Sequence, residues 1–435
     1  MKIVIIGGGF AGLKLARELN NKKGFDIMLL DKVTFHQFQP LFYQVATASL
    51  EASNISFPLR KVFHNSKNVR IRFAEVEEIK PEINTVVTDV CNFEYDLLVL
   101  ATGTQTNFFG NQQIQSHAFP MKTTFEALRL MNRIINNFED ALEVNDEAER
   151  SRIMSIAIVG AGPTGVELAG ALAEMRKNVL PKDYPELNWD LMHIYLIDHN
   201  KNPLSAMSEK SSNEARQYLQ DMGIILKLGA GVEEFDGERI VEDDGEIINV
   251  KTVIWAAGVR GNLPEGIPPE NVARGNRVKV DRFNKVIGSG NIYAIGDIAY
   301  METDLYPNGH PQLASVAGDQ GEHLAKNLIR QAAGDPPVPF EFDNKGVMAT
   351  IGKRKAVVDL EKPKIHFKGR IAWLIWMFLH LMLILGIKNK LQIFINWAYK
   401  YFTSDQSLRL AQRIRGKGEE LQIFRPPNHA SVNKV

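Results

Sequence analysis

The chain opens Met1-Lys2-Ile3-Val4-Ile5-Ile6-Gly7-Gly8-Gly9-Phe10-Ala11-Gly12, and this stretch decides the fold. The run over residues 2–6, apolar and β-branched after its lysine, has the pattern of a central parallel strand buried on both faces. Gly7, Gly9 and Gly12 satisfy G-x-G-x-x-G. The first allows the tight turn, the second lets the backbone approach a pyrophosphate, and the third permits a helix to pack closely on the strand. Phe10 and Ala11 lie within the loop, and helical character continues over residues 13–19. The start of that helix offers free N–H groups and the positive end of its dipole to the phosphates. A second strand from Asp26 leads to Asp31, 24 residues after Gly7, where a carboxylate can bond a ribose diol; Lys32 follows it.

The same grammar recurs at residue 156. Ile156–Val159 reads as a strand, Gly160-Ala161-Gly162-Pro163-Thr164-Gly165 as a second fingerprint, and Val166-Glu167-Leu168-Ala169 as the helix that follows. The strand over residues 193–197 runs into Asp198. An acid there accepts from a ribose 2′-hydroxyl and repels a 2′-phosphate, so NADH is expected over NADPH. The stretch from residue 178 to residue 190 delays that strand and reads as an inserted loop. Three further strands each end in a short turn: Ala101-Thr102-Gly103, Ala257-Gly258 and Gly296-Asp297.

At 435 residues, with 45% hydrophobic and 23% charged side chains, the chain suits two or three globular domains. A formal net charge of zero gives no reason to expect nucleic acid as a partner. Cys91 is the single cysteine, so neither a redox-active cysteine pair nor a thiolate-held iron–sulfur cluster is available, and no metal site is expected. The apolar start is too short for a signal peptide, which points to the cytoplasm.

The C-terminal region differs in kind. Residues 371–387 form an apolar run with Trp373, Trp376, Phe378 and His380. Residues 391–402 form a second apolar, aromatic segment. Between Lys364 and Lys417 ten Lys or Arg side chains face one acid, Asp405. Aromatic, apolar helices flanked by basic residues suit the surface of an anionic membrane. A run of 17 residues is at the lower limit for a membrane-spanning helix, and a core or dimer-interface helix is the other reading.

Two fingerprints in one chain, followed by these turn-ended strands, resemble the two-dinucleotide-binding flavoproteins of the glutathione-reductase type. The resemblance implies FAD on the first fingerprint and NADH on the second. It places Ala101-Thr102-Gly103 and Ala257-Gly258 at the crossings between the two domains, and Asp297 on the ribityl chain. Phe38-Gln39-Pro40-Leu41-Phe42-Tyr43-Gln44-Val45-Ala46 and Phe394-Ile395-Asn396-Trp397 narrow it, being similar to the flavin-side segment and the anchor of the type II NADH:quinone dehydrogenases. That family implies hydride transfer from NADH to FAD and then two electrons to a membrane quinone, menaquinone or ubiquinone, without proton pumping. It also implies a peripheral homodimer on the cytoplasmic face of the cell membrane.

The resemblance implies nicotinamide contact or proton supply for Glu167, and a place at the flavin or quinone end for Lys353. It makes Ala314, Ser315, Asp319 and Gln320 the quinone side, with His310 and Gln312 lining the approach. Ser315 and Asp319 depart from it, since the family usually carries glutamine at both places. The expected fold class is α/β, with two Rossmann-like domains and a C-terminal membrane-anchoring helical region. Its expected parts are residues 1–115 and 266–335 for FAD, 116–265 for NADH, and 336–435 for the anchor. Two other functions stay open from sequence. One is a soluble NADH-dependent flavin reductase or oxidase using oxygen or a carrier protein. The other is a non-catalytic NADH-responsive flavoprotein.

Overall fold

The computed structural model describes residues 1–405 and 408–410. Two five-stranded parallel sheets carry it. In spatial order the first runs Ile292–Ala294, Leu97–Leu100, Lys2–Ile6, Asp26–Asp31, Val69–Phe73. The second runs Phe119–Pro120, Thr252–Trp255, Ile156–Val159, Ile194–Asp198, Ile225–Leu228. Each fingerprint strand is the central one, covered on both faces, which is why its residues are apolar without alternation. Each sheet is followed by a three-stranded antiparallel insert: Val76–Lys80, Thr85–Thr88 and Phe93–Glu94 in one case, Val232–Phe235, Arg239–Glu242 and Ile247–Asn249 in the other. The chain crosses between the sheets twice, and the crossing segments Thr104–Thr106 and Val259–Gly261 pair antiparallel.

The first fingerprint helix spans Phe10–Glu18, three residues earlier than the sequence periodicity suggests, because the extended Gly9 already serves as its N-cap. The stretch read as an inserted loop is only partly irregular, and about half of it is helical. The second fingerprint helix runs through to Asn178, and Leu180–Asp183 and Trp189–Leu191 form short helical turns. Leu180, Leu187 and Met192 are buried there, with Phe138 packed against Trp189. The apolar side chains in this stretch are too scattered for a helical stripe, but each finds a partner in the core.

The C-terminal region begins with the antiparallel sheet Gly346–Thr350, Ala356–Leu360, Ile365–Lys368. Two helices follow, Gly369–Leu383 and Ile387–Thr403. The apolar run over residues 371–387 is therefore not one helix. Gly386 breaks it with φ +80°, and a Cβ there would lie 2.5 Å from the Phe57 ring. No helix among the described residues is long and apolar enough to cross a membrane. Of the basic residues counted in this region, Arg413, Arg415 and Lys417 lie outside the described residues, as does the end of the expected anchor domain.

Each helix of this pair buries one stripe at i, i+4 spacing: Ala372 and Trp376 on the first, Ile393 and Trp397 on the second. The pair docks on the segment around residues 38–57. Trp397 Nε1 donates to Gln44 Oε1 at 2.7 Å, and Asn389 Nδ2 donates to the Asn54 carbonyl at 2.9 Å. We predict that Trp397→Ala, which removes a buried indole and its hydrogen bond, destabilises the docked pair by about 3–5 kcal/mol. Hydrogen exchange across Ile387–Thr403 measures it. Unchanged protection there would refute the docking role.

Candidate functional site

Both fingerprint loops have the shape a pyrophosphate needs. Gly7 and Gly160 adopt φ of +107° and +111°, and a Cβ on either would lie within 2.5 Å of a backbone carbonyl oxygen, that of Ala101 or Ala256. By contrast, a Cβ at Gly9 or Gly162 would meet nothing within 4 Å, so the loop backbone is open where phosphate must approach. Gly12 and Gly165 sit against the carbonyls of Gly7 and Gly160, bringing each helix directly onto its strand. Phe10 is half-buried and Ala11 buried beside the first loop, whereas Pro163 and Thr164 are exposed at the start of the second helix.

The two acids that end the second strand of each fingerprint unit are held alike. Asp31 Oδ2 accepts from Gly8 N–H at 2.5 Å, and Asp198 Oδ2 accepts from Ala161 N–H at 2.6 Å. Burial pushes the Asp31 carboxyl up, against the pull of those backbone donors. Lys32 is exposed beside it.

The first cradle fits a flavin dinucleotide by its unpartnered groups. Thr102 Oγ1 is buried with no hydrogen-bond partner among the described residues, at the turn that ends in Gly103. Asp297, after the left-handed Gly296, accepts from Thr104 Oγ1 at 3.4 Å. Burial raises its carboxyl, and the nearby Lys122 and Arg277 oppose that. Lys122, whose ammonium is pushed down by burial, and Arg277 carry no motif and were not legible as site residues.

Glu167 and Lys353 come together in one cavity. Glu167, Ala171 and Glu174 line it from a single face of the helix Pro163–Asn178. Tyr43 and Gln44 enter from the short helix Phe42–Ala46. Thr350 and Lys353 come from the C-terminal sheet, and Trp373, Trp376, Trp397, Lys400 and Tyr401 from the last two helices. Glu167 is buried. Thr350 N–H donates to its Oε1 at 3.3 Å, and Thr350 Oγ1 stands 3.5 Å away. The Trp376 indole is near enough to favour ionisation but makes no hydrogen bond of good geometry. Burial wins, and the Glu167 carboxyl is pushed up to about 8. From Thr350 the chain of contacts continues through Tyr43 Oη at 3.1 Å, Gln44 Nε2 at 2.9 Å and Trp397 at 2.7 Å.

At the other end of the cavity the Lys353 N–H is held by the Glu174 carboxylate. Its Nζ donates to Ser404 Oγ at 2.8 Å. Burial and the charge of Arg354 lower its ammonium, and Glu174 opposes them. His380 stacks on Trp376 at 4.1 Å, and burial lowers it to about 4, so it is neutral at pH 7. Ala257 and Gly258 lie between the sheet strand Thr252–Trp255 and the second crossing segment, with Ala257 exposed.

None of Ala314, Ser315, Asp319 or Gln320 lines this cavity. They lie on the helix Ala314–Ala332, which packs on the first fingerprint helix. Gln320 is buried, and its Oε1 accepts from Gly296 N–H at 2.7 Å, so it braces the turn before Asp297. Ser315 and Asp319 are exposed. His310 packs among Tyr306, Phe340 and Phe342, and Gln312 bonds the Asp297 carbonyl at 3.1 Å.

A carboxyl with a raised pKa keeps its proton in the folded chain at pH values where the unfolded chain has lost it. Its contribution to stability is fully present below about 4.5 and is lost as pH rises through about 8. Glu167→Gln is expected to flatten this part of the pH dependence of denaturant unfolding. An unaltered slope would mean that Glu167 is ionised in the fold.

A family model for the pyridine nucleotide-disulphide oxidoreductases matches residues 1–321, and one for the NDH2 C-terminal domain matches residues 344–405. The single cysteine means that this chain uses the fold without an internal disulfide. Two relatives from Mycobacterium tuberculosis bear the description type II NADH:quinone oxidoreductase. Ndh is 32% identical over 93% of this chain and 88% of its own length, and NdhA is 34% identical over 92% and 87%. Among solved structures, an NDH2 from Plasmodium falciparum in complex with NADH matches with a TM-score of 0.83 at 19% identity, over 93% of this chain and 99% of that one. A sulfide:quinone oxidoreductase from Aquifex aeolicus matches with a TM-score of 0.69 at 18% identity, over 93% and 96%. At those identities the two structures bear on the fold alone.

Proposed function

The chain belongs to the type II NADH:quinone oxidoreductases, and from that premise we propose how its own residues serve the reaction. It is an enzyme that passes electrons from NADH to a quinone, and neither a carrier-protein reductase nor a non-catalytic sensor is favoured by its relatives. Bound FAD supplies the relay between a hydride donor and a quinone. The first fingerprint, with Asp31, Thr102 and Asp297, is assigned to FAD. The second, with Asp198, is assigned to NADH.

Glu167 is the proposed proton donor to the quinone. One observation carries this reading: a buried carboxyl, pushed up to about 8, in a cavity walled by the indoles of Trp376 and Trp397. Reduction of a quinone to a quinol takes up two electrons and two protons, and a carboxyl still protonated at neutral pH can supply a proton there. Thr350 and Tyr43 orient it, and Lys353 at the far end holds the other quinone oxygen. Glu167→Gln is expected to slow quinol formation about a hundredfold or more while leaving flavin reduction by NADH unchanged. Stopped-flow measurement separates the two half-reactions. Equal loss in both would move Glu167 to the nicotinamide side.

Asp198→Ala removes the acceptor for the adenosine ribose. The preference for NADH over NADPH is expected to narrow by about 1–3 kcal/mol, read as a ratio of kcat/KM. A fixed ratio would overturn the ribose assignment.

We also propose that the last two helices lie on the cytoplasmic face of the cell membrane. Away from their buried stripes they expose Ile371, Leu374 and Phe378, then Leu391, Phe394, Ile395 and Phe402, with Lys388 at the start of the second helix. Such a face costs free energy in water and suits the headgroup–acyl boundary. Leu374→Asp with Phe394→Asp changes exposed positions and is expected to weaken binding to anionic vesicles at least about tenfold. Retained binding would refute this placement. The homodimer and the division at residues 115, 265 and 335 rest on the family resemblance.

A further inference from the structure

The turn of the second antiparallel insert, Glu242-Asp243-Asp244-Gly245-Glu246, carries four carboxylates in five residues. Three of them, on Glu242, Asp244 and Glu246, bring oxygens within 4.8 Å of one another. An acidic turn on a surface is ordinarily just solvated. Glu242 makes this one different. Its side chain is 1% exposed, and neither carboxylate oxygen has a hydrogen-bond partner among the described residues. A buried carboxylate without donors is strongly unfavourable, and proteins resolve that by protonation or by a cation. Lys227 does not fill the need. It pairs with Glu246 Oε1 and acts on Glu242 only through space.

We infer that Glu242, Asp244 and Glu246 form a binding site for a divalent cation of the calcium type. The donors are all carboxylate oxygens, the preference of a hard cation. Two oxygens on opposite sides of a calcium ion, each at about 2.4 Å, stand about 4.8 Å apart, and the three carboxylates lie within that distance of one another. Magnesium demands near-ideal octahedral geometry and gives up its waters reluctantly, whereas calcium accepts the irregular set of oxygens that a turn of carboxylates offers. The cation takes both free Glu242 oxygens, an oxygen of Asp244 and Glu246 Oε2, leaving Lys227 on Oε1.

The site adjoins the nucleotide. Asp243 N–H donates to the Gly231 carbonyl at 2.9 Å, and its carboxylate faces His199 Nδ1 at 3.5 Å. His199 directly follows Asp198, and Gly229 N–H bonds the Asp198 carbonyl at 2.8 Å. An occupied turn therefore stiffens the strand end that presents Asp198, and calcium is expected to lower the KM for NADH two- to fivefold. This consequence rests on the ribose assignment; the site itself does not.

Terbium luminescence on the full-length flavoenzyme tests the site, because Tyr195 lies close enough to Lys227 and Glu246 to feel their charge and can act as sensitiser. Saturable, tyrosine-excited terbium emission is expected, displaced by calcium with a Kd of about 10⁻⁴–10⁻³ M. Glu242→Gln should abolish it while melting no lower than the wild type without calcium. Asp244→Asn, at an exposed position, gives an independent loss should the first variant misfold. Emission that does not saturate, that calcium does not displace, or that survives both substitutions overturns the site and leaves the Asp198 assignment standing. Normal binding with an unchanged KM for NADH overturns the coupling instead.

Discussion

The second fingerprint helix can do its several tasks because it lies closer to its neighbours than any side chain would allow. A Cβ at Gly165 would fall 1.8 Å from the Gly160 carbonyl oxygen, and one at Gly170 would fall 2.6 Å from the Gly352 nitrogen. The first contact sets the helix on its strand, so that its N-terminus faces the open fingerprint loop, where a pyrophosphate would be received. The second seats the same helix against the C-terminal sheet, one turn after Glu167. A single rigid element thus starts at the fingerprint loop and turns its 167–171–174 face into the cavity beneath the last two helices.

That arrangement accounts for the electrostatics of the cavity. Glu167 receives only weak donors, at 3.3 and 3.5 Å, so desolvation dominates and the proton stays on. Glu174, two turns further along, faces cations instead: Lys400 Nζ stands 3.5 Å from its carboxylate, and the Lys353 backbone N–H bonds it. Two glutamates on one helix face therefore stand in different surroundings. Glu167 keeps its proton among the indoles, and Glu174 sits beside the lysines.

The last two helices and the Glu167 cavity are one construction. Trp376 and Trp397 fill the core side of the helices whose opposite side exposes Phe378 and Phe394, so the surface proposed to meet lipid is one helix diameter from Glu167. The aromatic row from Phe10 through Phe38 to His380 and Trp376 joins that region to the first fingerprint loop. A hydrophobic quinone entering between these helices would leave lipid without crossing bulk water.

Sequence alone determined the two nucleotide cradles. Strand, glycine turn, helix start and ribose acid are neighbours along the chain, and each glycine answers a local steric demand, as at Gly7 and Gly160. It also marked Glu167 and Lys353, through resemblance. Tertiary structure decided what surrounds them. Gln44 and Trp397 are 353 residues apart, and Tyr43 and Thr350 are 307 apart, so no periodicity records their meeting. The same holds for Lys122 beside Asp297, for Gln320 turned inward to Gly296, and for the break at Gly386, imposed by the ring of Phe57. Burial of a carboxyl such as Glu167 or Glu242 is a property of the whole packed chain. Their proton affinities, and hence their chemistry, could be settled only once the distant segments that exclude water were in place.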